Sequence, residues 1–370
     1  MKWLMILTCL ASQSIFAQTI PQILNRVSQE KDMMPKLGKY KNQTVENGQR
    51  RTIMFLTPAE KKTLGIKENI MAFANFRHNN QFFIATIDEM KVDKNSRATS
   101  APSIIEKIIL SKKHWAGKVR PATKEMEVHA EVLFYFKSNS GVRLIYNQST
   151  QAHVAKAQTL SAAVLSVEAV RSSKAEHAAF FPDALGPNFA LGPRIVSLYE
   201  RNMQHRDDPE RMIKSYKLDL SDTVSKRSGL GSNESLLAAA LEKSNDTGRK
   251  ETYHIIFNNC TNNLFNILDA SLTYNKSHGG KIDYSIIKED IVDFVNKDLE
   301  NMLSFLEEMA DKNQNSVDAK TKEILRKYIV EHSLSRASDI DMSKVNSPDN
   351  LMYQAPAFID GHLKARGLVK

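Results

Sequence analysis

The sequence predicts an α+β protein in which a meandering antiparallel sheet carries helices and a helical region follows at the C-terminus. Three patterns support this fold class: a long alternating strand at 127–136, capped helices with one apolar face within 232–272, and a mainly amphipathic helical stretch beyond Asp283. The chain has 370 residues, of which 42% are hydrophobic and 25% charged. Those fractions are typical of a globular protein, and the length allows a sizeable core.

The first 17 residues have the pattern of a secretory leader. Lys2 is followed by an apolar stretch, and Ala17 precedes Gln18 at the expected cleavage point. The stretch is too short to span a bilayer, and no second apolar stretch of spanning length follows it. We therefore expect an exported protein of the periplasm or outer envelope, soluble or peripherally bound to a membrane. Cleavage removes Cys9, so the mature chain keeps one thiol, Cys260, and cannot form an internal disulfide.

The first half of the mature chain is expected to be mainly strands. The predicted elements are, in order, a helix after residue 18 and strands at 52–56, 81–87, 127–136 and 142–146. The clearest strand, 127–136, is expected to form a hairpin with the strand that follows it across the turn at 138–141. Two Gly-Pro steps then predict a loop over 186–193.

The second half begins with a strand within 209–220 and then becomes helical. A helix is expected from the capping residue Ser232 to Lys243, and an apolar stretch at 253–257 leads into a second helix from Cys260 to Leu272. Apolar residues recur at helical spacing along the second helix: Leu264, Ile267, Leu268 and Leu272. Further amphipathic helices are expected from about residue 283 to residue 332.

Cys260 is the candidate nucleophile because of its place at the start of a helix. Asn259 is a good N-cap residue, which puts Cys260 at the first helical position. Unpaired N–H groups and the helix dipole stabilise a thiolate there, and the backbone N–H of the cysteine can help to hold an oxyanion. The alternative is that Cys260 packs under its own helix as a small apolar residue, as free cysteines usually do.

His129 is the candidate base among ten histidines. Strand alternation places His129 and Glu131 on one face of strand 127–136 and Ala130 on the other. A histidine in the middle of such a strand is either hydrogen-bonded in the core or directed into a site. His254, six residues before Cys260 on the approaching strand, is the second candidate.

Three segments together resemble the Lnb-type lipoprotein N-acyltransferase family of bacteria. They are Val128-His129-Ala130, Glu210 to Ser221, which resembles the family's arginine-tyrosine-leucine segment and its Leu-Ser turn, and Asn259-Cys260-Thr261 with the leucine-rich helix behind it. The resemblance covers roughly Lys112 to Asp269, and its cysteine motif is the most specific part. The order of histidine before cysteine is also similar to the permuted NlpC-type papain-like thiol fold. Val128 departs from the family pattern, which usually has glycine or alanine there.

The resemblance implies a papain-like core with its nucleophile at a helix N-terminus, and an acyl transfer reaction that needs no cofactor. Cys260 would attack a phospholipid ester to form a thioester, with His129 as general base, and an amine would then accept the acyl chain. In the family this amine is the N-terminus of a lipoprotein. Asn259, Glu131 and Asn147 are all candidates for the orienting or oxyanion group, and the sequence does not choose among them.

Two other functions are compatible with the same residues. One is a hydrolase on the same Cys/His framework, either a phospholipase or a peptidoglycan-type amidase or peptidase. The other is a catalytically inactive module that binds a lipid or envelope partner, in which Cys260 and His129 would lie too far apart to share a hydrogen bond. The domain organisation predicted with the catalytic reading is a signal peptide at 1–17, an N-terminal α+β region at 18–110, a Cys/His core at 111–275 and a helical region at 276–370.

The net charge and two segments indicate what class of partner the protein binds. The net charge of +9 favours anionic partners, such as a membrane surface, whereas the lack of an arginine-rich block and of zinc-type Cys/His spacing argues against nucleic acid and a structural metal. Lys113 and Trp115 lie in a basic segment that would suit a lipid headgroup contact, or would simply form an exposed linker. Phe181 and the predicted loop 186–193, which contains Phe189, would form an acyl-chain wall, or would simply close the core.

Overall fold

The computed structural model describes only part of the chain. The described residues are 18–28, 38–43, 51–115, 128–170, 184, 188–204, 210–247, 251–253, 259–274, 279, 281–283, 286 and 359–369. Within these ranges the protein is a mixed α and β structure with a large mixed sheet and six helices. No helix in the described part of the chain is long and apolar enough to cross a membrane.

The helices and strands have the following bounds. The helices are α1 (Ile20–Val27), α2 (Pro58–Thr63), α3 (Leu198–Gln204), α4 (Ser232–Thr247), α5 (Cys260–Ser271) and α6 (Ile359–Ala365). The strands are β1 (Met54–Phe55), β2 (Ile70–His78), β3 (Gln81–Val92), β4 (Ala98–Ser100), β5 (Ile105–Trp115), β6 (Val128–Phe136), β7 (Val142–Asn147), β8 (Ala152–Leu160), β9 (Ala162–Val170), β10 (Phe189–Ser197), β11 (Glu210–Leu218), β12 (Val224–Ser225), β13 (Thr252–Tyr253) and β14 (Leu272–Thr273).

One large sheet organises the described residues. Its strand order is β11-β5-β6-β9-β10-β2-β3-β7-β8, with β1 on β2, β4 on β3 and β13 on β10. Neighbouring strands are antiparallel except β2 and β10, which run parallel where Val196 meets Arg77. The sheet is therefore mixed rather than antiparallel throughout. It takes strands from both sides of residue 110, the predicted boundary between two regions, and β5 itself crosses that residue.

The predicted hairpin of 127–136 with 142–146 is wrong. β6 pairs with β5 and β9, whereas β7 pairs with β3 and β8. The N–H of Lys137 donates to the carbonyl of Ile104 at 2.8 Å, so the chain leaves β6 alongside another segment and does not fold back on itself. Gly141, with φ +141°, serves a different contact, because a Cβ there would lie 2.2 Å from the carbonyl oxygen of Leu160.

The predicted loop over 186–193 is also wrong in its second half. β10 begins at Phe189 and includes the second Gly-Pro step, at Gly192-Pro193. A proline interrupts a strand by removing an N–H from the ladder. Here β10 meets β2 only at Val196 in the described part of the sheet, and the carbonyl of Pro193 accepts a hydrogen bond of 2.6 Å from the hydroxyl of Ser244 on α4.

The two faces of the sheet differ in chemistry. Helices α4 and α5 pack on one face and form the main apolar core with the even-numbered residues of β6. This core includes Ala130, Val132, Phe134, Leu236, Leu237, Leu264 and Leu268. The opposite face, which α3 covers, carries a small apolar cluster around Leu133 and Val164 together with charged side chains. The predicted alternation along β6 is thus confirmed.

Helix α6 comes from the far end of the chain and packs against α5. Ile359 and Leu363 are fully buried in the main core. Arg366 makes two hydrogen bonds of 2.9 Å to the carboxylate of Asp269, and its guanidinium carbon lies 4.7 Å from the ring centre of Phe265. Most of the predicted helical region at 276–370 lies outside the described residues.

Candidate functional site

Helix α5 begins at Cys260, as the sequence predicted. Asn259 is its N-cap, and its side-chain oxygen accepts a hydrogen bond of 3.1 Å from the N–H of Asn262. The carbonyl of Asn259 also accepts a hydrogen bond of 2.8 Å from the side-chain amide of Asn263. The first of these contacts satisfies a backbone N–H that the first turn of a helix otherwise leaves open. Asn259 therefore has a structural role in placing Cys260.

The thiol of Cys260 is buried, with 1% of the residue exposed. Burial raises its pKa above the usual value of 9.0, although the N–H groups of Ala130, Thr261 and Cys260 itself act in the opposite direction. The nearby hydroxyl of Tyr253 is also buried, and its pKa is raised as well. Desolvation thus outweighs the helix N-terminus, and the thiol is protonated near neutral pH.

His129 is held by a hydroxyl group. Its Nε2 lies 2.9 Å from Oγ of Ser166, and that hydroxyl donates to Glu168 at 2.9 Å. Because the hydroxyl proton points to Glu168, Nε2 of the imidazole is the donor to Ser166. The pKa of His129 is lowered to about 3. Burial is the main cause, and the positive charge of Arg201 is the second. The imidazole is therefore neutral at physiological pH.

Glu131 lies two residues further along the same face and forms the centre of a buried ionic network. Its carboxylate contacts Nζ of Lys113 and accepts a hydrogen bond of 2.6 Å from Nε of Arg201. Burial alone would raise the pKa of Glu131, but the two cations hold it below its usual value. Glu168 extends the network through a 2.6 Å hydrogen bond from Arg194.

The structure does not bring Cys260 and His129 together. Cys260 packs in the main core with Ala130, whose N–H faces the thiol. His129 precedes Ala130 on β6, so its side chain lies on the opposite face of the sheet, where it bonds to Ser166. The prediction of His129 as the base for Cys260 is therefore wrong for this structure. The reason is the parity of the strand, since α5 covers the face of the even-numbered residues.

The other two candidates for the orienting group are also placed elsewhere. Glu131 points to the same face as His129, away from Cys260. Asn147 ends β7, which four strands separate from β6, and its side-chain oxygen accepts the N–H groups of Ser149 and Thr150 at 2.9 and 3.0 Å. Asn147 therefore shapes a turn and does not orient an imidazole.

The predicted lipid contacts have mixed outcomes. Lys113 lies within β5 and pairs with Glu131, so it does not belong to an exposed linker. Trp115 is the last residue of β5 and pairs with Glu210 of β11. The structure describes its backbone only. Phe189 is fully buried and stacks on Tyr40 with ring centres 6.2 Å apart, so it packs in the core. Phe181 and His254 lie outside the described residues.

Sequence reasoning missed four members of the buried network: Ser166, Glu168, Arg194 and Arg201. Ser166 and Glu168 lie two residues apart in the otherwise apolar strand β9. This spacing places both side chains on one face and could have indicated a buried polar site. Within the described ranges, no group of three or more His, Cys, Asp or Glu side chains is arranged to hold a metal ion.

Comparison of the chain with protein-family models, with curated proteins and with solved structures found no match.

Proposed function

We propose that this chain is a non-catalytic binding module that engages an anionic phospholipid surface of the cell envelope. The non-catalytic part of this proposal rests on one observation. Cys260 packs against one face of β6, whereas the side chain of His129 lies on the other face. Each group also has a local role: the thiol fills space under α5, and the imidazole donates to Ser166. A thiol enzyme of the predicted kind needs a base within hydrogen-bond reach of its nucleophile, and His129 is not placed to be that base.

Bringing the two groups together would require a large rearrangement. Moving His129 to the other face means shifting β6 by one residue, because side chains alternate along a strand. Such a slip would break the ladders with both β5 and β9. It would also place Glu131 in the apolar core without Lys113 and Arg201. Breaking a buried ion pair in this way typically costs about 3–5 kcal/mol.

Charge supports the choice of an anionic surface as partner. The chain carries a net charge of +9. At one end of the described sheet, β11 exposes Lys217 and also Lys214, which pairs with Asp360 of α6. A lysine close to an anionic bilayer contributes on the order of 1 kcal/mol to binding, and this contribution falls with salt. Phospholipid is also the substrate class implied by the resemblance of the sequence.

The test is sedimentation of the mature chain with vesicles of phosphatidylglycerol or phosphatidylcholine. We expect binding to phosphatidylglycerol alone, with loss of binding at high salt. The variant Lys214→Gln/Lys217→Gln should bind roughly 30-fold more weakly, because two contributions of about 1 kcal/mol are lost. Its matched control is Lys62→Gln/Lys67→Gln, which removes the same charge from the exposed residues around α2 and should bind within about threefold of the parent. Equal binding to both lipids, or to neither, would overturn the proposal.

A second candidate function, acyl transfer, is favoured by the N–H groups that surround the thiol. The N–H groups of Ala130, Thr261 and Cys260 all face Sγ, as they would face a developing oxyanion or thiolate. In that reaction the thiolate would displace a lysophospholipid, and an amine, such as a lipoprotein N-terminus, would displace the thiol. Water in place of the amine would make the protein a phospholipase.

Intact-mass analysis after incubation with phospholipid distinguishes the two functions. An acyl-chain mass gain that is absent from Cys260→Ala would establish the thioester and refute the non-catalytic proposal. We expect no mass gain, and we expect Cys260→Ala to bind vesicles as the parent does. Release of free fatty acid by the parent alone would indicate the hydrolase.

A further inference from the structure

A cavity of about 350 Å³ lies between α1, the start of β3 and the chain that follows β7. The strands β9, β10 and β2 separate β3 from β6, so this cavity is distinct from the surroundings of Cys260 and His129. Helix α1 supplies one wall through Leu24 and Asn25, and the chain after β7 supplies the other through Gln148 and Gln151. A volume of this size suits a small organic molecule.

Arg51 and Phe82 give the cavity its chemical character. The guanidinium carbon of Arg51 lies 4.5 Å from the centre of the Phe82 ring, so the two planar groups are in contact. Among the described residues that line the cavity, Arg51 carries the only full charge. A guanidinium directs its N–H groups outward in its own plane, which matches the two oxygens of a carboxylate. The ring and Leu24 offer apolar surface next to that charge.

Hydrogen bonds fix the sheet side of the cavity. The side chain of Gln148 accepts from the N–H of Asn75 at 2.8 Å and donates to the Asn75 side chain at 3.2 Å. The N–H of Gln148 donates to the carbonyl of Phe82 at 2.8 Å, and the N–H of Phe82 donates to Ser149 at 3.2 Å. Asn75 holds a left-handed conformation with φ +65°. A wall that is fixed in this way loses little conformational entropy when a ligand binds.

The helix side of the cavity is fixed as well. Ile23 and Val27 of α1 are buried in a second apolar core that includes residues of β2 and β3. The side chain of Asn75 donates to the carbonyl of Val27 at 2.8 Å and so joins the end of α1 to the sheet. Arg26 makes two hydrogen bonds to the carboxylate of Glu60, at 2.5 and 2.7 Å. The cavity is therefore a preformed space between two firmly held walls.

We propose that this cavity binds a small organic carboxylate, whose two oxygens meet the guanidinium of Arg51 and whose planar or apolar part packs against Phe82 and Leu24. Asn25, Gln148 and Gln151 place amide groups around the same space. Amides donate and accept hydrogen bonds, which suits a ligand with a peptide-like polar part. The class that fits is a carboxylate of the size of an N-acylated amino acid.

The experiment is calorimetric titration of the mature chain with hippurate, which combines a carboxylate, an amide and a ring. At ordinary ligand efficiency, its roughly 13 non-hydrogen atoms give an expected Kd of about 1 mM or tighter. Hippuramide, the uncharged amide of the same molecule, should bind at least about tenfold more weakly because it lacks the charge-assisted pair. Inorganic phosphate is the third probe.

Three variants locate the site. Arg51→Gln should weaken hippurate binding at least about tenfold, whereas Arg143→Gln, which removes the same charge from an exposed pair with Asp88, should leave it unchanged. Asn25→Trp keeps Arg51 and fills the cavity from an exposed helix position, so it should abolish binding. The proposal is overturned by an absence of saturable binding, by equal binding of hippurate and hippuramide, by tighter binding of phosphate, or by binding that survives both Arg51→Gln and Asn25→Trp.

Discussion

Arg201 on α3 donates from Nε to the carboxylate of Glu131 on β6 at 2.6 Å, and both side chains are almost fully buried. This ion pair joins the polar face of the sheet to the helix that covers it. Replacing Arg201 by Met would leave Glu131 with Lys113 alone, and we expect a loss of about 3–5 kcal/mol in the free energy of unfolding. Urea unfolding measures this change. The double variant Arg201→Met/Glu131→Leu should lose less than the sum of the single losses; additive losses would show that the pair does not act as a unit.

The thiol of Cys260 should react slowly with alkylating agents in the folded protein. Burial raises its pKa above 9.0, so little thiolate exists at pH 7 and access is limited. Labelling with iodoacetamide, followed by intact mass across a pH series, should have its midpoint above pH 9. Unfolded protein in urea is the control and should label rapidly. A midpoint near pH 7 in the folded protein would contradict the structural role given to this thiol.

His129 should make the protein less stable in mild acid. The folded state keeps its pKa at about 3, whereas the unfolded chain has the usual value of 6.5. Between those values the unfolded state binds more protons, so stability falls as the pH drops through this window. From pH 7 to pH 5 the loss from this group is about 2 kcal/mol, at 1.36 kcal/mol for each pH unit below 6.5.

The measurement for His129 is urea unfolding at pH 7 and pH 5. The variant His129→Gln cannot take up a proton, so its loss between the two pH values should be smaller by that amount. His78, whose pKa is also lowered by burial, remains in both proteins and cancels in the comparison. An equal pH dependence in the two proteins would show that the imidazole is not held neutral by the fold.

Asn259 should stabilise α5 as its N-cap. Asn259→Ala removes the acceptor for the N–H of Asn262, and we expect a loss of about 1 kcal/mol in the free energy of unfolding. Asn259→Asp keeps the acceptor and adds a favourable charge at the helix N-terminus, so it should retain most of the stability. Thermal unfolding followed by circular dichroism compares the variants. Equal stability of Asn259→Ala and the parent would exclude a capping role.

Local features of the fold were predictable from the sequence because their causes are local. The capping residue Asn259 and the spacing of Leu264 and Leu268 predict α5 and its start, and alternation predicts β6 and its two faces. The hairpin prediction failed because strand partners are chosen by packing over long sequence distances. Gly141 has a positive φ that favours glycine, and the structure uses it where the chain passes close to Leu160.

The candidate site was predictable in part. Alternation already placed His129 and Ala130 on opposite faces of β6, but the sequence does not state which face α5 covers. The resemblance implied that His129 acts as the base for Cys260. In the structure the backbone N–H of Ala130 faces the thiol instead. Charged partners of His129 and Glu131 come from α3, β5 and β9, and their convergence depends on the whole sheet.

Helix α6 has a consequence for how this protein reaches its native state. Leu363 and Leu368 complete a core whose other members begin near residue 40. That core cannot close until synthesis has passed residue 368, so its last step joins segments that are more than three hundred residues apart. Closing such long loops slows folding, and the apolar surface beside α5 that α6 covers stays open until α6 docks. A chain that is shortened before Ile359 should therefore accumulate as an aggregation-prone intermediate, even though every described strand of the large sheet is present.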